Sequence, residues 1–148
     1  MLDHEGYLCF WERFRENNNL KLKPGQRIFT ASENSTFNEL FAIDGKGLLR
    51  LNTKEAGGSG RRKFCITDWD RDGLPDLIVN SVNVTLLRNK GTKNGLTILE
   101  DSGPLSKAVL AGHSTSPTVV DWNKNRIPDL LIGAEDGHFY YLKNSSKQ

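Results

Sequence analysis

Four aspartates stand close together in the middle of the chain, at intervals that would let a short loop bring their carboxylates to one point. They occupy positions 1, 3, 5 and 9 of a single stretch, as Asp68, Asp70, Asp72 and Asp76. Alternate residues of a curled loop face inward, and the backbone carbonyl of Leu74 would join them. Ca²⁺ takes roughly six to eight oxygen ligands from carboxylates, carbonyls and water. Without a cation the four anions would repel one another, so the spacing predicts a calcium loop.

The residues around these aspartates favour strands over helices. Gly73 lies where the loop must turn sharply, and glycine adopts φ > 0 without steric cost. An EF-hand would need a Glu at its twelfth position and helices on both sides, whereas the twelfth residue here is Val79. The flanks, 64–67 and 77–79, are rich in β-branched and aromatic residues, which is typical of strands. We therefore expect a strand–loop–strand unit, with a solvated acidic hairpin turn as the alternative to a metal loop.

The same pattern returns 53 residues later, since Asp121 follows Asp68 and Asp129 follows Asp76 at that interval. A fixed period of this size is typical of repeat architectures. The ligand positions of the second copy are occupied by Asp121, Asn123, Asn125, Ile127 (through its carbonyl) and Asp129. Two carboxylates are thus lost, and Arg126 replaces the turn glycine, where it would have to adopt an unfavourable φ > 0. We expect this second loop to bind Ca²⁺ weakly or not at all.

The pattern Asp-x-Asp-x-Asp-Gly-x-x-Asp, followed by an apolar strand and then by a strand such as 137–144, resembles the FG-GAP/VCBS repeats. The resemblance covers residues 62–100 and 115–144 and extends more loosely over 3–30. Repeats of this family build β-propellers, among them the integrin α-subunit head and several bacterial polysaccharide-processing proteins. The resemblance therefore implies an all-β fold in which the calcium loops connect the first and second strands of blades.

On this basis we expect a partial β-propeller of about two and a half four-stranded antiparallel blades. The expected divisions are residues 1–30 as strands 3 and 4 of a partial blade, 31–61 as an insertion or connection, 62–100 as a complete blade with the cation loop, 101–116 as an inter-blade connection, 117–144 as strands 1 to 3 of a partial blade with the degenerate cation loop, and 145–148 as a tail. Trp69 and Trp122 occupy identical places in the two loops, and we expect both to act as aromatic wedges between blades.

Individual strands follow from the apolar runs between turn signals. We expect them at residues 6–13, 26–30, 63–68, 75–80, 83–88, 96–100, 117–121, 128–133 and 138–143. Turns are expected at 17–19 and at 90–95, and the apolar runs 37–41 and 48–51 predict one more hairpin around a turn at 44–45. Because a propeller needs at least about four blades and leaves no long sheet edge bare, we expect the remaining blades to belong to a longer polypeptide or, less favourably, to another chain.

Composition narrows the classes of function. Hydrophobic residues at 36% and charged residues at 26% are typical of a soluble domain. The formal net charge of +2 is too small to indicate nucleic acid or an anionic membrane as a partner, and no apolar run approaches the roughly 18 residues of a membrane span. Two cysteines, Cys9 and Cys65, lie in apolar patterns on different predicted blades, and we expect buried free thiols.

Propeller topology would place a second set of polar residues together on the face opposite the calcium loops. That set comprises His4, Glu5, Arg61, Arg62, Asn80, Asn83, His113, Glu135 and Asp136. The resulting hypotheses are a calcium-braced module that binds a polysaccharide or a protein, a polysaccharide lyase acting on uronic-acid glycans by β-elimination, and a structural spacer. In the lyase hypothesis Arg61 or Arg62 would hold the uronate carboxylate, and His113 and His4 would share the proton transfers.

The expected location follows from the calcium chemistry. Calcium loops of this kind suit the high calcium concentration outside cells, so we expect an extracellular, periplasmic or cell-surface parent protein. The first residues lack a signal-peptide pattern, because charged residues follow Met1 almost at once. We expect such a signal to lie in a preceding part of a longer chain.

Overall fold

The structure is a computed structural model, and it describes residues 1–32, 35–43, 46–53, 61–111 and 115–145. The fold is all-β, and the described residues contain no α-helix. Backbone contacts divide the chain into a first unit, Met1–Arg61 with Thr92–Ile98, and a second unit, Arg62–Gly91 with Leu99–Gln148. The strands are β1 (Arg13–Glu16), β2 (Asn19–Leu22), β3 (Phe29–Ala31), β4 (Asn38–Ile43), β5 (Lys46–Leu49), β6 (Phe64–Thr67), β7 (Asp76–Val79), β8 (Thr85–Lys93), β9 (Leu96–Pro104), β10 (Ser116–Val120), β11 (Asp129–Gly133) and β12 (Phe139–Leu142).

β6, β7, β8 and β9 lie side by side in sequence order, as in a four-stranded blade. They belong to the second unit except for the end of β8 and the start of β9, which lie within Thr92–Ile98. β6 pairs antiparallel with β7, and β7 pairs antiparallel with β8. Every residue of β7 is buried, Asp76 as well as the apolar run 77–79, which indicates that both faces of the sheet are covered here. The four strands predicted between residues 63 and 100 are confirmed.

The hairpin formed by β8 and β9 is longer than expected. Its strands continue to Lys93 and resume at Leu96, so the turn predicted over 90–95 is wrong in its extent. Asn94 and Gly95 alone reverse the chain, with φ of 53° and 76°. Two consecutive left-handed residues match the right-handed twist of the strands, which lets the ladder run up to the turn.

A second sheet of this unit consists of β10, β11 and β12, again antiparallel and in sequence order. The strands predicted at 117–121, 128–133 and 138–143 are confirmed to within about two residues at each end.

The core of the second unit forms where these two sheets meet. Trp69 is only 8% exposed, and it packs with apolar side chains from both sheets. Its buried neighbours are Ile78, Val84, Leu86, Leu110, Leu130 and Ile132. The aromatic wedge expected at Trp69 is therefore present between the two sheets.

The first unit contains two hairpins. β1 pairs with β2 around a turn at Asn17 and Asn18, which have φ of 48° and 62°, as the run of asparagines predicted. β4 pairs with β5, which confirms the additional hairpin, although its turn at 44–45 lies outside the described residues. β5 also pairs with β3, which starts at Phe29 and so covers only part of the strand expected at 26–30.

A continuous strand over residues 6–13 was expected, and that expectation is wrong. The backbone N–H groups of Leu8, Cys9 and Phe10 donate to three different segments, at Leu49, Met1 and Gln26 respectively. Upstream, Oδ1 of Asp3 accepts two backbone N–H groups at 3.0 Å each, a side-chain turn that competes with strand pairing. The assignment of residues 1–30 to strands 3 and 4 of a blade stays a prediction.

Candidate metal centre

The acidic loop lies between β6 and β7, where the pair Thr67–Asp76 closes the ladder. We call residues 68–76 the first loop. Within it the chain takes left-handed φ values at Arg71 (66°) and Gly73 (88°). These two reversals curl the segment, and the glycine needed for the sharp turn stands at one of them.

Three of the four aspartates converge as the spacing predicted. Asp68, Asp70 and Asp76 each offer one carboxylate oxygen, and these oxygens lie within 4.8 Å of one another. Asp72 is outside that group, and its Oδ1 accepts the N–H of Leu74 at 2.8 Å. The loop thus gathers three hard oxygen donors of the kind that Ca²⁺ prefers.

One carboxylate oxygen of this cluster lacks a hydrogen-bond partner among the described residues. Asp68 Oδ2 accepts the N–H of Gly73 at 3.0 Å, but Asp68 Oδ1 is buried and accepts no hydrogen bond from any described residue. A buried acceptor left without a partner costs about 1–3 kcal/mol. A cation held between Asp68, Asp70 and Asp76 would satisfy this oxygen, so the donor set fits a divalent ion.

Asp76 is the most deeply placed carboxylate of the loop, at 1% exposure. It accepts the backbone N–H of Asn89 at 2.8 Å and that of Trp69 at 2.9 Å. Burial raises the pKa of Asp76, the two N–H groups oppose that shift, and the charges of Asp70 and Asp72 reinforce it. A bound cation would stabilise the charged form against this burial.

A cationic side chain already stands near the cluster. Arg88 Nε lies 3.5 Å from Asp70 Oδ2, yet it is itself buried and makes no hydrogen bond within the described part of the chain. The ion pair therefore offsets part of the negative charge of the cluster.

The second loop, residues 121–129, follows the same backbone path between β10 and β11. Lys124 and Arg126 have φ of 60° and 66°, at the positions equivalent to Arg71 and Gly73. The left-handed conformation expected at Arg126 is thus present. Two hydrogen bonds of the first loop recur at equivalent atoms: Arg126 N donates to Asp121 Oδ2 at 2.9 Å, and Ile127 N donates to an amide oxygen, Asn125 Oδ1, at 2.9 Å.

The carboxylate oxygens of the second loop accept hydrogen bonds from within the protein. Asn125 N donates to Asp121 Oδ1 at 2.9 Å and to Asn123 Oδ1 at 3.0 Å, so both oxygens of Asp121 have partners. Asp129 accepts the hydroxyl of Tyr141 at 2.8 Å and the N–H of Asn144 at 2.9 Å. Both oxygens of Asp121 and both oxygens of Asp129 thus accept hydrogen bonds within the protein. The weak calcium binding expected of this loop stays a prediction.

The residues expected on the opposite face fall in different parts of the chain. His4 lies in a turn of the first unit, and His113 lies outside the described residues. Arg61 is exposed at the end of the first unit, whereas Arg62 belongs to the second. Arg62 Nη1 donates to the backbone oxygen of Asn80 at 3.1 Å, and burial lowers its pKa. The convergence of the four proposed catalytic residues stays a prediction.

Sequence reasoning missed a charged cluster in the first unit. Arg27 Nε donates to Asp3 Oδ2 at 2.7 Å, and its Nη2 pairs with Glu5. The guanidinium also lies over the ring of Tyr7, 3.9 Å from its centroid, a cation–π contact. Glu5, placed by the sequence argument on a ligand-binding face, is therefore engaged in an ion pair. Its partner lies 22 residues away, so no local pattern could have revealed it.

Both cysteines are free thiols, as expected, but only Cys9 is buried, whereas Cys65 is half-buried. Cys9 donates weakly to Asp3 Oδ2 at 3.5 Å. Burial raises the pKa of Cys65 to about 11, so this thiol stays protonated and packs as an apolar side chain.

Comparison with known proteins agrees with the repeat inferred from the loops. No curated protein and no solved structure gives a significant match to the chain. Among the described residues, none of the elements is a helix long and apolar enough to cross a membrane. Residues 68–132, which run from the first aspartate of the first loop through most of β11, match the family profile described as FG-GAP-like repeat. The segment that spans the two loops is therefore similar to an FG-GAP-like repeat.

Proposed function

We propose that this chain is a calcium-braced repeat module in which the first loop binds one Ca²⁺. The ligands would be the carboxylates of Asp68, Asp70, Asp72 and Asp76 and the carbonyl of Leu74. The observation that carries the proposal is the buried, unpartnered Asp68 Oδ1 beside the oxygens of Asp70 and Asp76. A cation supplies the missing partner and removes the repulsion among the carboxylates.

The metal would act structurally. Asp68 follows β6 and Asp76 begins β7, so one ion would tie together the two ends of the loop. Asp76 also accepts the N–H of Asn89 in β8, which would extend the effect to a third strand. Ca²⁺ tolerates irregular coordination, whereas Mg²⁺ demands near-octahedral geometry, so a loop of mixed donors favours Ca²⁺.

The wider role that we propose is a binding scaffold outside the cell. Loops held by a rigid sheet are where binding residues usually lie, and an FG-GAP-like repeat places such loops at both ends of its strands. A polysaccharide or a protein is the expected ligand. The proposed location outside the cell, at its surface or in the periplasm is supported by the dissociation constants of extracellular calcium modules, about 10⁻⁴–10⁻³ M.

The lyase alternative has no support among the contacts of the described residues. Arg62 donates a hydrogen bond to the backbone oxygen of Asn80, and Glu5 forms an ion pair with Arg27. The hypothesis stays a prediction, and incubation with uronic-acid polymers tests it through the ultraviolet absorbance of unsaturated products.

Calorimetric titration with CaCl₂, after treatment with a chelator, tests the calcium proposal. We expect one site in the wild-type chain and no measurable site in Asp68→Asn. Asp121→Asn is the matched control, because it makes the same change in the second loop, and it should keep the site. Wild-type affinity in Asp68→Asn, or an absence of binding in the wild-type chain, would contradict the proposal.

A further inference from the structure

A cleft of about 640 Å³ lies between the first and second loops, within the second unit. Its volume is in the range of small-ligand pockets, roughly 300–1,000 Å³. The first loop contributes Asp68 and Arg71 to its lining, and the second loop contributes Asp121 and Arg126. The cleft is thus lined by two carboxylates and two guanidiniums, on the side of the loops and not among the residues predicted for the opposite face.

The two arginines of the cleft have no acidic partner among the described residues. Arg71 and Arg126 are exposed, and neither guanidinium forms an ion pair or a hydrogen bond with a residue that the structure describes. A guanidinium presents its N–H donors as a planar fork that matches the two oxygens of a carboxylate. The cleft therefore offers two such forks to a ligand.

The two aspartates of the cleft are directed to the backbones of their own loops. Asp68 Oδ2 accepts the N–H of Gly73 at 3.0 Å, and Asp68 Oδ1 is buried. Asp121 accepts the backbone N–H groups of Asn125 and Arg126, each at 2.9 Å. These carboxylates are held within the loops, so the exposed hydrogen-bonding capacity of the cleft is that of the guanidiniums.

The repeat does not account for the presence of both arginines in one cleft. Arg71 is the fourth residue of the first loop, whereas Arg126 is the sixth residue of the second. Both have a left-handed φ of 66°, which residues other than glycine rarely adopt. Lys124, the equivalent of Arg71, is not among the residues that line the cleft. The pairing of the two arginines is therefore a feature of the folded unit.

The rest of the lining indicates the kind of ligand. Val119, Val120 and Pro128 add aliphatic surface, and no described residue of the lining has an aromatic ring on which a sugar could stack. The carboxylates of Asp68 and Asp121 would repel a densely charged polyanion. A peptide segment with acidic side chains fits both features, because its methylene groups can pack on the aliphatic surface and its carboxylates can form charge-assisted hydrogen bonds with the guanidiniums.

We propose that this cleft binds an acidic peptide segment of a partner protein, with one carboxylate on Arg71 and another on Arg126. The inference rests on the protein-binding role proposed above and narrows its ligand. It uses neither guanidinium as a metal ligand, so its failure is distinguishable from a failure of calcium binding.

Fluorescence anisotropy with a fluorescein-labelled tetraglutamate peptide tests the inference on the full chain in a buffer that contains CaCl₂. We expect saturable binding of this probe and no binding of a tetraglutamine peptide. Arg71→Gln and Arg126→Gln should each weaken the binding about tenfold, as the loss of a charge-assisted hydrogen bond predicts. Lys124→Gln is the matched control, because it removes the same charge from the second loop outside the cleft, and it should keep the wild-type affinity.

Three outcomes would overturn the inference. The wild-type chain could fail to bind the probe, or the three variants could lose affinity equally, which would indicate a general attraction between charges. A trigalacturonate probe could bind more tightly than the peptide and depend on the same two arginines, which would assign the cleft to an acidic sugar.

The calcium titration described above separates the two proposals. A chain that takes up calcium but not the peptide contradicts the inference alone. A chain that binds the peptide through both arginines but takes up no calcium contradicts the calcium proposal alone.

Discussion

The first and second loops have the same length, the same two left-handed positions and equivalent hydrogen bonds from the residues after the turn. They differ in the donors that reach two equivalent oxygens. Asp76 Oδ2 accepts the N–H of Trp69, whereas Asp129 Oδ2 accepts the hydroxyl of Tyr141, and Asp68 Oδ1 differs from Asp121 Oδ1. In the first loop the N–H of Asp72 is directed to Asp70, at 3.4 Å, and Asp68 Oδ1 is left without a partner. In the second loop the equivalent N–H, that of Asn125, donates to Asp121 Oδ1. The same backbone path can therefore leave one carboxylate oxygen without a hydrogen-bond partner or supply a partner to each, depending on where a single N–H group points.

The two tryptophans extend the comparison from hydrogen bonding to packing. Trp69 and Trp122 hold the same place in the repeat, yet one is buried in the core and the other is 62% exposed. The expectation that Trp122 is a wedge is thus wrong for this chain, because no described residue covers it as β11 covers Trp69. The position of a residue in the repeat determines where its side chain lies on the sheet. The sheet that packs against this side chain determines how much it contributes to the stability of the fold.

The largest difference is expected when each tryptophan is replaced by alanine. Trp69→Ala removes a buried aromatic side chain and should lower the free energy of unfolding by about 3–5 kcal/mol. Trp122→Ala changes an exposed side chain and should alter it by less than about 0.5 kcal/mol. Urea unfolding of both variants measures the difference. Equal destabilisation would mean that Trp122 is buried in solution.

Conversion of the second loop should produce the next largest effect. Asn123→Asp with Asn125→Asp restores the four carboxylates on a backbone that already has the required shape, so calorimetry should report two calcium sites instead of one. We expect the new site to be weaker than the first, because Asp121 Oδ1 must give up its N–H donor. Adding Asp68→Asn isolates the new site. A stoichiometry that stays at one would show that carboxylate number does not separate the two loops.

The smallest effect is expected at the turn residue itself. A Cβ added at Gly73 meets nothing within 4 Å, so Gly73→Ala tests backbone conformation alone and should destabilise by about 1–2 kcal/mol. Arg126→Gly relieves the same left-handed strain and should stabilise by about 0.5 kcal/mol after the entropy of glycine in the unfolded chain is offset. Thermal unfolding without calcium measures both. Destabilisation by Arg126→Gly would indicate that the arginine side chain holds the loop.

The parts of this molecule that local periodicity determines could be predicted from the sequence. The interval of 53 residues located both loops, and the apolar runs located β6 to β12, because strand formation there depends on neighbours close in sequence. The unpartnered oxygen of Asp68 could not be predicted, since it depends on where a single N–H points. Nor could the pairing of Arg27 with Asp3 and Glu5 be predicted, because it joins segments that share no sequence pattern.

The contact between Asn144 and the carbonyl of Trp69 joins residues 75 positions apart. Contacts of such long sequence separation carry a large loop-closure entropy and are among the slow steps of folding. The carbonyl of Trp69, inside the first loop, therefore gains its amide partner only after residue 144 has docked against the loop. The final packing of this loop is thus tied to a segment that is synthesised much later than the strands on either side of it.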